Sequence, residues 1–377
     1  MAKELILVSV GDVCVGAGAE KPLPDQIQIW KEGLDPHYWL EKVESLLQQG
    51  DFTVGNLEGM VTNRLSAIDK GDTGGGLVRM VPDAADALKR AGFSAVALAN
   101  NHTMDYGEEG MLQTLANLDR VGLIYFGGGL NAHDAWKPAF LEKDGVRIAL
   151  LSYTSTFVPG NPAGENKPGI ATVAIKTSYE VPGNVFYAPG APPRTVTTAV
   201  RQDREKMEDA VRNAAKQADI VVVNWHWGLT RNAVRHSSGL PIEYCFSYVV
   251  NYQEDMGRAA IDAGADLVVG HHPHRLHGME VYKGKLICYS MGTLTHPRSM
   301  GGNYGYTSAI LKAHIDRDGK KIVRLTVVPL TLPPETMQPQ IVPVAEAGAI
   351  IDELRELSRK YGTRFVVEGE EVTIPTV

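Results

Sequence analysis

The chain has 377 residues, 44 % of them hydrophobic and 21 % charged. That is the composition of a soluble globular protein long enough to bury a sizeable core. The formal charge of 37 − 44 = −7, with no run of Lys or Arg, argues against nucleic acid or an anionic membrane as a general partner. Residues 5–10 are a short apolar run of β type that ends at Gly11-Asp12. The run is too short, and Lys3 too closely offset by Glu4, for a signal peptide, and no stretch is long enough to span a bilayer. Residues 36–49 show helical spacing behind Pro36. Phe52-Thr53-Val54-Gly55 is a second strand and delivers Asn56-Leu57-Glu58. Asp72 to Gly76 is a glycine-rich loop. A helix runs from Pro82 to Ala91 and stops at Gly92. Ala95 to Ala99 is a third strand and delivers Asn100-Asn101-His102. A helix follows over 110–121.

Residues 138–153 read as a β-hairpin turned at Lys143-Asp144-Gly145. Residues 155–195 are rich in Pro and Gly with little periodicity and read as a partly ordered insertion beside a site. A charged helix spans 200–217. Asp219 to Val223 is a strand leading to Asn224-Trp225-His226-Trp227-Gly228, and an irregular, enlarged loop follows over 229–250. A helix over 253–263 precedes Leu267-Val268-Val269-Gly270-His271-His272-Pro273-His274, a strand that opens into three histidines in four positions. Strands over 286–290, 308–315 and 321–330, a helix over 345–361 and a hairpin over 365–374 complete the chain. One domain over 1–377 is expected, with a helix–hairpin extension over 331–377. Cys14, Cys245 and Cys288 are far apart, with no Cys-x-x-Cys, which fits a reducing cytoplasm.

Strand after strand thus ends at a metal-ligand type: Asp12, Glu58, Asn101-His102, His226, His272 and His274. Interspersed helices imply an α/β fold whose strand ends line one edge, where sites of such folds gather. Carboxylate, amide oxygen and imidazole together suit Mn, Fe or Zn better than Mg or Ca. The candidates are too many for one tetrahedral ion. Two divalent ions about 3.5–4 Å apart would account for the count and activate a water against a phosphoryl or acyl centre. If residues 271–274 are extended, His272 and His274 share a side and His271 points away. Trp225 and Trp227 then flank His226 on the opposite face and read as core packing. His37, His133, His277 and His314 have no convergent partners and read as surface residues.

Gly11-Asp12, Asn56-Leu57-Glu58, Asn100-Asn101-His102-Thr103-Met104-Asp105-Tyr106-Gly107, His226-Trp227-Gly228, Gly270-His271-His272-Pro273-His274 and Tyr289-Ser290-Met291-Gly292, in this order, resemble the bacterial CapA family. That family is named for poly-gamma-glutamate capsule synthesis and is similar to the calcineurin-like metallophosphoesterases. The resemblance implies a four-layer αββα sandwich, an α/β (α+β) fold. It implies that Asp12 ligates a first metal with His274, that Asn101, His226 and His272 hold a second, and that Glu58 stands at the bridging position. His102 would protonate a leaving group, and Asp105 would hydrogen-bond it and raise its pKa. Arg79 and Arg298 are candidate clamps for a small anionic substrate. The superfamily's Asp-x-His is here Asp12-Val13-Cys14, where Cys14 could supply a thiolate or, the favoured reading, be a small core residue. Leu229-Thr230-Arg231 and Gly292-Thr293 also depart from the family pattern beside the expected pocket, and the membrane anchor of many members has no counterpart. The reading is a cytoplasmic metal-dependent hydrolase, homo-oligomeric or not. The alternative is a non-catalytic metal- or polymer-binding accessory of poly-gamma-glutamate synthesis.

Overall fold

Leu5 and Leu7 point to one side of the first strand, and Val8 and Val10 to the other, and all four are buried. A strand buried on both faces belongs in the middle of a layered fold. A computed structural model describes residues 4–18, 35–70, 77–180, 193–229, 249–296, 307–334, 336 and 338–376, and it places Glu4–Val13 inside a large sheet. Parallel strands Phe52–Leu57, Ala95–Ala97 and Ile124–Phe126 extend the sheet on one side. The antiparallel strands Thr307–Asp316 and Lys321–Thr331, with the small hairpin Val366–Glu368 and Glu371–Thr373, extend it on the other.

A second sheet runs in the order Met279–Tyr282, Lys285–Cys288, Leu267–His271, Ile220–His226, Val146–Thr154, Ala139–Lys143. Its four central strands are parallel. Leu5, Leu7, Val54 and Ala97 from the first sheet share one apolar cluster with Leu150, Val222, Leu267 and Val269 from the second. Val8, Val10 and Val96 instead pack with Leu88, Leu115 and Leu118 of the helices Asp83–Arg90 and Gly107–Arg120. Leu151, Val223 and Val268 pack with Met207, Val211, Met256 and Ala260 of the helices Arg201–Ala215 and Asn251–Ala263. The layers are therefore helix, sheet, sheet, helix, as the resemblance implies. The C-terminal helix Gly348–Ser358 adds Ile350, Ile351 and Leu354 to the cluster between the sheets.

Most elements fall where periodicity places them, including the hairpin at Asp144-Gly145, both of which take positive φ. Residues 36–49 do not form one helix. A 3₁₀ turn, Pro36–Trp39, is followed by a single α-turn, Glu44–Leu47, since the apolar residues Trp39, Leu40, Val43, Leu46 and Leu47 are satisfied by burial without a continuous helix. The 155–195 stretch contributes Gly169–Ile170, paired with Gly128–Gly129, and a strand Ile175–Glu180 paired with Arg194–Ala199. The enlarged loop over 229–250 lies almost wholly outside the described residues. His37, His277 and His314 are buried rather than on the surface, and only His133 is exposed. His37 meets Glu44 at 3.0 Å, and His314 meets Glu4, Arg324 and Thr326. Sequence spacing does not reveal such partners.

Candidate metal centre

The parallel strands of both sheets end at one edge. Asp12, fully buried, ends the first strand, and its amide donates to Gly292 O at 3.1 Å. Gly11 is required beside it, because a Cβ there would stand 2.2 Å from Gly292 O. Asp12 Oδ2 accepts from the His272 amide at 3.1 Å and lies 3.2 Å from His274 Nδ1. The two sheets are thereby joined across the site.

Glu58 follows the second strand and is also fully buried. Among the described residues, neither of its carboxylate oxygens has a hydrogen-bond partner. Around Oε1 stand His274 Nε2 at 3.5 Å, His226 Nε2 at 3.7 Å and His102 Nε2 at 3.9 Å. A buried carboxylate without donors is costly, and burial, opposed by the His274 charge, pushes the Glu58 carboxyl up to about 8. Burial alone would raise the Asp12 carboxyl, but hydrogen bonds and charge from His274 and His271 outweigh it and hold it well below the usual range.

Two groups of ligand atoms converge among the described residues: Asp12, Glu58 and His274 on one side, Glu58, His226 and His272 on the other. Asn101 Oδ1 joins the second, 2.7 Å from His226 Nε2, and His272 Nδ1 lies 3.0 Å from the same nitrogen. Glu58 belongs to both groups. Carboxylate oxygens without donors among the described residues and ring nitrogens packed nitrogen-to-nitrogen are what divalent cations would satisfy, so the donor set fits metal binding. Burial is the largest cause of the low pKa of His226 and His272, the latter near 3, so both rings are neutral and able to ligate. His274 is held up to about 9, against its burial, by Glu58 and Asp12.

The His272–His274 segment is not extended. His272 and His274 adopt φ of 98° and 57°, a left-handed bend that non-glycine residues enter only where the surroundings enforce it. Alternation therefore does not explain the ring positions. The bend splits them, sending His272 toward His226 and His274 toward Asp12 and Glu58. His271, inside the strand, is buried behind the site, with Nε2 on Asn224 Oδ1 at 3.1 Å and Nδ1 3.4 Å from Asp12 Oδ1.

His102 Nδ1 lies 2.7 Å from Asp105 Oδ2, which fixes the Nδ1–H tautomer and turns Nε2 toward Glu58. The expected rise in the His102 pKa is not what results. Burial lowers it and prevails over Asp105, which raises it. The spacing of His102 and Asp105 showed their contact but not the surrounding desolvation.

Cys14 is buried in the cluster beneath the helices Asp83–Arg90 and Gly107–Arg120. It belongs to neither converging group among the described residues. Arg79, half-buried, sits in a small sheet with Ala17–Gly18 and Met60–Val61, next to Val78, whose amide donates to Asp105 Oδ2 at 2.8 Å. Arg298 lies outside the described residues. Trp225 and Trp227 are fully buried and stacked at 5.0 Å, as core residues.

Three site residues had no assigned role in the sequence. Asn56 Nδ2 donates to Asp12 Oδ1 at 2.8 Å and lies 3.2 Å from His226 Nδ1, linking the two groups from behind. Asn100 donates to Asn56 Oδ1 and Leu57 O and accepts from the His102 amide. Both stand inside motifs that pointed to the site. Lys70 does not, and no local pattern marks it.

The model of the family described as bacterial capsule synthesis protein PGA_cap matches residues 6–296. The chain belongs to this family. Among its relatives, the PGA biosynthesis protein CapA of Bacillus subtilis is 29 % identical over 367 residues, covering 97 % of this chain and 80 % of the relative. The capsule biosynthesis protein CapA of Bacillus anthracis is 30 % identical over 331 residues, covering 88 % and 68 %. A crystal structure described as a novel phosphatase from Mycoplasma pneumoniae aligns over 88 % of this chain and 95 % of its own at 12 % identity, with a TM-score of 0.47. The PGA_cap match spans every strand end that contributes a converging ligand atom, from Asp12 to His274. Among the described residues no helix is long and apolar enough to cross a membrane.

Proposed function

We propose that this PGA_cap family member is a metal-dependent hydrolase of the metallophosphoesterase type, acting on a phosphoester or related acyl centre of a small anionic substrate. The observation that carries the reading is Glu58. Its two buried oxygens find no donor among the described residues and lie between Asp12 and His274 on one side and Asn101, His226 and His272 on the other. Asp12, Glu58 and His274 would hold one divalent ion, and Glu58, Asn101, His226 and His272 a second, of Mn, Fe or Zn type. Such a pair lowers the pKa of a water and offsets charge developing on a phosphoryl or acyl oxygen. The chain's own contribution is proton handling. His102, aimed by Asp105, presents Nε2 3.9 Å from Glu58. Burial favours the neutral ring, and the charge of a bound anionic substrate would favour the protonated ring that donates to the leaving group. Arg79 and Arg298 are the proposed substrate clamps, and the cytoplasm the proposed compartment.

One observation favours a second reading, a non-catalytic accessory of poly-gamma-glutamate synthesis. Cys14 stands where the superfamily has a histidine and lies in the core, which would leave the Asp12 side with one ligand fewer. Two Mycobacterium tuberculosis relatives, 24 % identical, are described as probable polyglutamine synthesis accessory proteins. Against it stands the retained His102–Asp105 pair, which holding a metal does not require. Metal analysis of the purified protein, followed by turnover of a generic aryl phosphate with added Mn²⁺, separates the two. Two ions per chain and a rate lost in His102→Ala support the hydrolase. No bound metal, or an undiminished rate in that variant, refutes it.

A further inference from the structure

Lys70 is a buried cation that neither the metal groups nor the proposed proton transfer uses. Its side chain is 6 % exposed, and Asp105 beside it is fully buried. Its ammonium donates to Asp105 Oδ1 at 2.5 Å and to the Asn101 carbonyl at 2.9 Å, and it approaches His102 Nδ1 to 3.5 Å. These contacts fall at both ends of the tight turn 101–105. The turn carries Asn101, whose side chain meets His226, and His102, whose ring faces Glu58. The same segment adds a backbone bond, Ile68 amide to Asp105 O at 2.9 Å. Val78 closes the other Asp105 oxygen with its amide.

We propose that Lys70 is the positioning residue of this site, a staple that fixes the 101–105 turn and aims the His102–Asp105 pair. Asp105 has two oxygens. One must stay on His102 Nδ1 for Nε2 to face the site. Lys70 occupies the other, so the carboxylate cannot rotate away, and its bond to the Asn101 carbonyl holds the ammonium itself in place. A charge-assisted bond between two buried groups is among the stronger polar contacts, and its loss leaves a buried carboxylate without a counter-ion. A misplacement of about 1 Å at a reacting group can cost about 100-fold in rate. The catalytic consequence rests on the hydrolase reading, whereas the positioning itself does not.

The experiment combines ring ¹⁵N–¹H correlations of histidine-labelled protein, metal content and turnover of an aryl phosphate. In Lys70→Met the His102 ring signals should shift and its Nδ1 proton exchange faster, with those of His37 and His314 unmoved. The rate constant kcat should fall about 10- to 100-fold, with KM and metal content within about twofold. Lys70→Arg should recover part of the loss. Should Lys70→Met fail to fold, the neutral pair Lys70→Met/Asp105→Asn serves instead. Its His102 signals should match those of Asp105→Asn alone, because Lys70 acts through that carboxylate. Unmoved His102 signals in Lys70→Met, a further His102 shift in the double variant, or a rate loss explained by lost metal would overturn the proposal. If the wild-type protein turns over no aryl phosphate, the hydrolase reading fails and the ring signals alone decide the role of Lys70.

Discussion

Replacing Glu58 by Gln should have opposite effects on stability with and without divalent metal. Without metal, the folded protein holds a carboxyl that burial pushes from 4.5 to about 8. An unfolded glutamate is ionised at pH 7, so folding must restore its proton. The gap of 7.0 − 4.5 = 2.5 pH units, at about 1.4 kcal/mol each, is a cost of about 3–4 kcal/mol. The sign follows from the raised value: the cost is absent below about pH 4.5, grows as pH rises, and levels off above about pH 8. Gln keeps the shape and carries no charge, so it removes the cost. Asp12, which also raises the His274 pKa, stays in place, and the net gain is about 1–3 kcal/mol. For a chain of this size that is a rise of about 2–4 °C per kcal/mol at most. With excess Mn²⁺ the order reverses. Ligand at 100 times its Kd adds about 2.7 kcal/mol to the wild type, whereas the variant has lost the carboxylate common to both groups. Thermal unfolding at pH 7 and pH 4, in chelator and in Mn²⁺, reads all four cases. A chelated variant less stable than wild type at pH 7, or one stabilised by Mn²⁺ as strongly as wild type, would refute the role assigned to Glu58.

Other outcomes follow from the same geometry. Asp105→Asn should lower kcat by about 10²–10⁴-fold, as loss of a well-placed general acid does, while metal content measured by mass spectrometry stays that of the wild type. Cys14→Ser should leave metal content unchanged and cost about 1–3 kcal/mol in chemical denaturation, because it places a hydroxyl in an apolar cluster. A serine variant that loses one ion per chain would instead make Cys14 a ligand. Gly270→Ala should fail to accumulate as folded protein on gel filtration, since its Cβ would stand 2.2 Å from Tyr289 O, whereas Gly122→Ala, with nothing within 4 Å, should cost only the strain of its positive φ.

The layered fold was legible because it is written in periodicity. Leu5 and Leu7 against Val8 and Val10, and Val222 against Val221 and Val223, divide cleanly between the inner and outer clusters. The ligand set was legible because parallel strands end at one edge, so a polar residue after each apolar run is already near its neighbours. What spacing could not convey was direction and desolvation. An extended reading of residues 271–274 places His272 and His274 on one side, yet the bend set by their positive φ sends them to different groups. His102 has the aspartate partner that raises an imidazole pKa, yet burial outweighs it.

Lys70 marks the limit of local reading most sharply. Its partners lie 31 to 35 residues away, and nothing in Ala67-Ile68-Asp69-Lys70 distinguishes it from a solvated surface lysine. One structural fact gives it a role, the complete burial of Asp105. A carboxylate removed from water needs donors for both oxygens. His102 and the Val78 amide serve Oδ2, and Lys70 serves Oδ1. The demand made by Asp105 is thus what turns an ordinary lysine into part of the site. The same reasoning applied to Glu58, whose oxygens find no donor among the described residues, is what points to cations there.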